Sequence, residues 1–231
     1  MSGIKTRARL LATSLLGRDF NSSKISTLVS DASIISFDVF DTLILRPGIA
    51  VPSDLFNLLS TDQSFKAARI EAEHFARDEG KSRGLEDITL LDIYKHLYPS
   101  DECARQEGMR LEISTELDVC KANPAALDFF NTVKRSGKRV IIVSDMYLSA
   151  ETISTILTNN GFDLSGVNVY VSSEYGLTKR SGNLFKTVLN REKVQKGREG
   201  EILHIGDNLI SDYINPRRCG MKSYLYKVSR H

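Results

Sequence analysis

The stretch Ser36-Phe37-Asp38-Val39-Phe40-Asp41-Thr42-Leu43-Ile44-Leu45-Arg46-Pro47 closes an apolar run with two carboxylates three positions apart. On a strand, successive side chains face opposite ways, so Asp38 and Asp41 share a side only if the chain turns between them. The two acids therefore have different jobs. Asp38 ends a strand, Asp41 sits in the turn that follows, and a phenylalanine, Phe40, stands where the chain changes direction.

Further along, β-rich apolar runs recur at Lys138 to Ser144, Val167 to Ser172, Glu201 to Gly206 and Lys222 to Tyr226, with a helix-length segment between each pair. Gly137 and Gly161 follow two of those segments as helix stops. This alternation predicts an α/β fold, a Rossmann-like parallel sheet with helices on both faces, over residues 31–47 and 124–231. The first two strands break the rhythm, because about a hundred residues separate them. Residues 48–123 are expected to form a helical cap inserted after the first strand. In it Phe65, Ala68, Ala72, Phe75 and Ala76 make an apolar stripe and leave Arg69, Glu73 and Arg77 as a polar one. Thr89 with Asp92 forms a capping box, and Met109, Ile113, Leu117 and Cys120 form a second apolar stripe.

Composition narrows the functional classes. With 231 residues, 41% apolar and 26% charged, the chain can bury a large core. A net charge of +2 gives no electrostatic argument for nucleic acid. Three scattered cysteines suggest neither a disulfide framework nor a zinc cluster, which suits a reducing cytoplasm. No apolar run approaches the ~20 residues that span a bilayer, so no membrane association is expected of the main body. Residues 1–30, with leucines at 10, 11, 15 and 16 among basic residues, predict a helical extension packed on the domain, with an interfacial helix as the alternative.

Open α/β sheets bind ligands beyond the carboxyl ends of their strands, and the chemically active residues cluster there. Asp38 and Thr42 follow the first strand, Ser144-Asp145 the second, Lys179 the third, and Gly206-Asp207-Asn208 with Asp212 the fourth. Hard carboxylate oxygens suit Mg²⁺ together with a phosphate. A lysine and a hydroxyl suit a phosphoryl group, and an aspartate can attack phosphorus. Thr42, Asp145 and Asn208 are assigned to the substrate side of this rim, as are Arg46 and the cap residue Arg69, which could recognise an anionic substrate.

With these motifs in this order, the chain resembles the haloacid dehalogenase superfamily, most of whose members are phosphatases. The resemblance runs from Ser33 to the end. It implies that Asp38 is the nucleophile and that the Phe40 carbonyl, Asp38 and Asp207, supported by Asp212, hold Mg²⁺. It also implies that Ser144 holds the transferring phosphoryl group and Lys179 neutralises charge. The runs F-D-V-F-D-T-L, S-D-M-Y-L-S and K-R-S-G-N-L-F are similar to a subgroup linked to surface-glycan synthesis. That likeness implies a sugar or polyol phosphate substrate and a glycosyltransferase association.

One position departs from the superfamily pattern. Its phosphatases carry a second aspartate two residues after the nucleophile, as the general acid, and here that place is Phe40. Asp41 is the nearest stand-in, at a position where glycine is more usual, and His74 on the cap is a second candidate proton donor. Dehalogenases also carry an aromatic residue there, but they do not need the metal that Asp207 and Asp212 suggest. The expectation is therefore a Mg²⁺-dependent phosphatase of a small phosphorylated metabolite. The alternatives are a catalytically weak domain that binds a phosphorylated ligand or a glycosyltransferase, and then a dehalogenase. His204, inside a strand, is expected to be buried and satisfied.

Overall fold

The computed structural model describes residues 17–227; of the extension expected over residues 1–30, the leucine-bearing part lies outside them, and the described end forms helix α1 (Ser23–Ser30). Five parallel strands form the sheet: β1 (Ile34–Phe37), β4 (Arg139–Ser144), β5 (Asn168–Val171), β6 (Ile202–Gly206) and β7 (Lys222–Leu225), in the order β5-β4-β1-β6-β7. β1 and β6 are buried along their whole length, as expected for strands covered on both faces. Side chains alternate between two cores. Ile35, Phe37, Val140, Ile142, Leu203 and Ile205 pack on one side, against α6 (Pro124–Arg135) and α7 (Ala150–Asn159). Ile34, Ile141, Val143 and Ile202 pack on the other, against α9 (Asn183–Arg191), which follows the short helix α8 (Ser172–Tyr175).

The order of the strands places the site. β1 lies between β4 and β6, with Phe37 opposite Ile142 on one side and Ile205 on the other. The chain moves to the β4 side first and later returns to the β6 side, so the crevice at this reversal opens beyond the carboxyl end of β1.

The segment expected as an insertion leaves and rejoins the core through a short antiparallel ladder. Its strands are β2 (Ile44–Leu45) and β3 (Lys121–Ala122), with Ile44 opposite Ala122. Asn123 fastens this junction by donating from Nδ2 to the Thr42 carbonyl and the Tyr226 hydroxyl, both at 2.8 Å. Between the two strands lie a 3₁₀ turn at Pro52–Leu55 and helices α2 (Phe56–Leu59), α3 (Gln63–Ser82), α4 (Leu90–Leu97) and α5 (Glu102–Val119). Thr89 and Asp92 make the expected reciprocal capping box at the start of α4.

The inward face of α3 overturns part of the sequence reading, whereas the stripe expected along α5 packs on the core, with Met109, Ile113 and Leu117 partly buried against it and Cys120 buried in it. Along α3 the inward residues are Arg69, Ala72 and Ala76, whereas Ala68 and Phe75, placed in the apolar stripe, are exposed. On α5 the fully buried residues are Glu112 and Glu116. Arg69 is 0% exposed and forks onto Glu112, with Nε to Oε2 at 2.9 Å and Nη2 to Oε1 at 2.8 Å. The rings of Phe56, Tyr94 and Tyr147 surround its guanidinium at 4.5, 5.7 and 5.2 Å. Arg69 therefore belongs to a buried ion pair inside the insertion, not to a solvated face that could reach a substrate. Periodicity misses this because it counts charge as outward-facing, while two helices can bury charge when donors and acceptors match.

Candidate active site

Each strand end delivers its residue through a local turn. After β1 the chain winds tightly: the amides of Thr42, Leu43 and Ile44 all point to the Val39 carbonyl, at 3.3, 2.8 and 2.9 Å, and the Asp41 amide bonds the Ile44 carbonyl at 2.8 Å. Asp41 pays for this turn with φ of 56°, the left-handed region that glycine and, less readily, aspartate tolerate. The Phe40 carbonyl is left out of these bonds. Thr42 turns back to donate from Oγ1 to Asp38 Oδ2 at 3.1 Å, so it holds the carboxylate instead of facing a ligand.

On the other oxygen of Asp38, Lys179 donates from Nζ to Oδ1 at 2.5 Å and also to Asp212 Oδ1 at 2.7 Å. Lys179 reaches this point from the loop after β5, which Asp145 holds by accepting from the Lys179 and Arg180 amides at 2.7 and 3.2 Å. After β6, Asn208 uses its side-chain oxygen to cap one wide helical turn at Leu209–Ile214, and that turn swings Asp212 back under the strand. Asp212 accepts the Asn208 amide at 2.9 Å. The space it occupies exists because residue 206 is glycine, since a Cβ there would lie 2.5 Å from Asp212 Cγ.

Two residues outside the expected set complete this network. Ser36 and His204 stand opposite each other on β1 and β6. The Ser36 hydroxyl meets His204 Nδ1 at 2.7 Å, and His204 Nε2 meets Asp212 Oδ1 at 3.1 Å. Burial lowers the His204 pKa against the pull of Asp212, which favours the neutral ring. A neutral ring satisfies both contacts by donating from Nε2 and accepting at Nδ1. The sequence marks His204 only as buried and satisfied; in the structure it also orients a carboxylate of the site. Its sole sequence signal was a polar residue in an apolar strand.

One ligand oxygen each from Asp38, Asp207 and Asp212 can lie within 4.8 Å of one another. Among the described residues Lys179 is the one cation that touches this group, so two negative charges remain uncompensated if all three are ionised. Burial raises the Asp38 pKa to about 7, with Lys179 opposing and Asp212 reinforcing the shift. Asp207 rises to about 8, through burial and then the charges of Asp38, Asp212 and exposed Asp41. Asp212 moves the other way, because Lys179 and His204 outweigh its burial. Lys179 is held charged by Asp212 and Asp38 despite being buried. Hard oxygen donors with surplus negative charge are what Mg²⁺ requires, so these residues fit the expected ion.

The structure brings Asp38, Lys179, Asp207 and Asp212 together and sets Ser144, 1% exposed, at the end of the neighbouring strand β4. It does not bring Arg46 or Arg69 to them as free cations. Arg46 donates from Nη1 to Glu116 at 3.2 Å and lies 4.7 Å above the Phe40 ring. It thereby braces the residue after Val39 and is not available for an anionic substrate.

Beside the site, a cleft of about 590 Å³ separates α3 and the Pro52 turn from the loops at 145–147 and 178–180. Its lining includes the residues immediately after Ser144 and on either side of Lys179. Glu86 and Asp87, neither anticipated from sequence, lock the insertion to the core beside this cleft. Glu86 accepts the Thr178 amide at 2.8 Å and the Ser181 hydroxyl at 2.5 Å, and Asp87 accepts the Ser172 hydroxyl at 2.5 Å.

No protein-family model and no curated protein matches the chain. Solved structures do. The HAD family enzyme bt-2542 from Bacteroides thetaiotaomicron superposes with a TM-score of 0.58 at 13% identity, covering 86% of this chain and 95% of that one. The fold is that of the haloacid dehalogenase-type enzymes. A mutant of bt-2542 in complex with magnesium and inorganic phosphate matches equally well, with a TM-score of 0.58 at 14% identity over 87% of this chain and 96% of that one. The 2-haloacid dehalogenase from Pseudomonas syringae pv. Tomato DC3000 matches with a TM-score of 0.55 at 16% identity, over 84% and 86%. The same fold is thus shared by an enzyme whose mutant binds magnesium and inorganic phosphate and by a 2-haloacid dehalogenase. No helix among the described residues is long and apolar enough to cross a membrane.

Proposed function

We propose that the chain is a hydrolase of the haloacid dehalogenase superfamily, and within it a Mg²⁺-dependent phosphatase of a small phosphorylated metabolite. The observation that carries this reading is the group formed by Asp38, Asp207 and Asp212 around a single lysine. Displacing a halide requires one carboxylate nucleophile, and the surplus acids would only repel it. Displacing an alkoxide from phosphorus, with a divalent ion to hold the phosphoryl oxygens, uses all three. The magnesium and phosphate bound by the bt-2542 mutant support the same choice.

Asp38 attacks phosphorus, the bond from phosphorus to the ester oxygen breaks, and the leaving oxygen departs with the electron pair. Water then attacks the aspartyl-phosphate at phosphorus, which frees phosphate and restores the carboxylate. Lys179 and Ser144 steady the phosphoryl oxygens, Thr42 fixes the Asp38 carboxylate, and His204 and Ser36 keep Asp212 ionised and oriented. Bound Mg²⁺, held by Asp38, Asp207, Asp212 and the Phe40 carbonyl, would supply charge neutralisation at the phosphoryl group. Phe40 offers no proton to the leaving oxygen.

The likeness of the motifs to hydrolases of surface-glycan synthesis makes sugar and polyol phosphates, handled in the cytoplasm alongside a glycosyltransferase, the first substrates to try. The test is phosphate release from a panel of phosphorylated metabolites, with and without Mg²⁺, by the wild type and Asp38→Asn. At least one compound should be cleaved by the wild type with Mg²⁺ alone. Release that persists in Asp38→Asn would overturn the assignment.

A further inference from the structure

The cleft beside the site has a charge balance that the phosphoryl-handling residues do not explain. Its acids are all engaged: Glu73 by Arg69 and Arg77, Asp87 by Arg77 and Ser172, Asp145 by two backbone amides, and Glu86 by Thr178, Ser181 and Asn183. Arg77 is in turn occupied by Glu73 and Asp87. Two basic side chains of the lining remain, His74 from α3 and Arg180 from the loop after β5, and neither has a side-chain hydrogen bond or ion pair among the described residues.

Exposure alone would make both ordinary surface residues. Arg180, however, is mounted on a rigid base. Asp145 accepts its amide at 3.2 Å and Asn215 donates from Nδ2 to its carbonyl at 2.6 Å, while the preceding residue, Lys179, reaches the nucleophile. A guanidinium launched from a fixed backbone point next to the phosphoryl site loses less freedom on binding an anion, and its fork matches a carboxylate or phosphate. Phe56, Ile70 and Met146 add an apolar wall to the same cleft.

We propose that this cleft seats the body of a substrate bearing a second anionic group beyond the phosphoryl group, and that Arg180, with His74 opposite, recognises that group. This rests on the phosphatase reading of Asp38 and deepens it, because it names the substrate class. Non-hydrolysable probes test it independently of turnover. Calorimetry with Mg²⁺ present would compare propylphosphonate, 3-phosphonopropionate and propane-1,3-bisphosphonate on the wild type, Arg180→Ala and Arg180→Lys.

The wild type should bind at least one of the two doubly anionic probes about fivefold or more tighter than propylphosphonate, the upper end of what one exposed ion pair contributes. The better of the two identifies the second group as carboxylate or phosphoryl. The ratio should fall to about one in Arg180→Ala and be partly kept in Arg180→Lys. A ratio near one in the wild type, an unchanged ratio in Arg180→Ala, or no binding of any probe overturns the proposal. Phosphate release from an aryl phosphate judges the phosphatase reading separately, since it does not depend on that ratio.

Discussion

Two residues of the opening motif separate chemistry from architecture. Asp38 has donors on both oxygens, Lys179 on one and Thr42 on the other, whereas Asp41 is exposed and held in a left-handed turn. Replacing Asp41 by glycine should leave unfolding free energy equal or higher, because glycine accepts φ of 56° without strain. Asp41→Val should lower it by about 1–2 kcal/mol. Urea unfolding of the two variants checks both. If Asp41 is also the displaced general acid, Asp41→Asn will slow hydrolysis of alkyl phosphates selectively and spare aryl phosphates, whose leaving groups need no proton. Arg69 reverses an expectation at this same scale. Removing one member of a buried pair strands the other, so Arg69→Ala should cost about 3–5 kcal/mol in urea unfolding. A loss under ~1 kcal/mol, the range of a surface pair, would show that the arginine is solvated after all.

Among the elements, the loops after β5 and β6 do most to build the site. The Lys179 loop is held from the core by Asp145 and Asn215 and from the insertion by Glu86. Glu86→Ala should therefore speed amide hydrogen exchange at residues 178–183 while leaving β6 protected; equal exchange in both proteins would mean that the core alone orders the loop. The sheet was legible in the sequence because its strands appear as short, mostly apolar, β-rich runs at helix-length spacing, and each of its five strands sits inside such a run. The buried charge on α3 and α5 was not legible, because Arg69, Glu112 and Glu116 are polar residues at buried positions and their pairing depends on contacts 43 and 70 positions apart. Glu86 and Asp87 escaped notice for a related reason. They lie in a loop without periodicity and acquire meaning only where the insertion folds back on the core.

For the whole molecule, the site trades stability for charge. Asp38, Asp207 and Asp212 converge on one lysine, so the metal-free protein carries repulsion that a divalent ion relieves. Mg²⁺ at ~100 times its dissociation constant should add about 2.7 kcal/mol of stability, read as a rise in Tm. Asp207→Asn should raise the Tm of the metal-free protein and abolish most of that gain. A Mg²⁺-induced rise of equal size in the variant would place the ion elsewhere. The strand-end carboxylates and Lys179 were identifiable in the sequence from their positions, but the Ser36–His204 support beneath Asp212 was not, because it requires the register of β1 on β6. The claim on which the functional account rests is that Asp38 forms a bond to phosphorus. Its most direct measurement is mass spectrometry of peptides from enzyme acid-quenched during turnover of an aryl phosphate with Mg²⁺. A phosphoryl group is expected on the Asp38 peptide of the wild type and none on that of Asp38→Asn. A phosphoryl group on any other residue, or release of phosphate undiminished in Asp38→Asn, would contradict it.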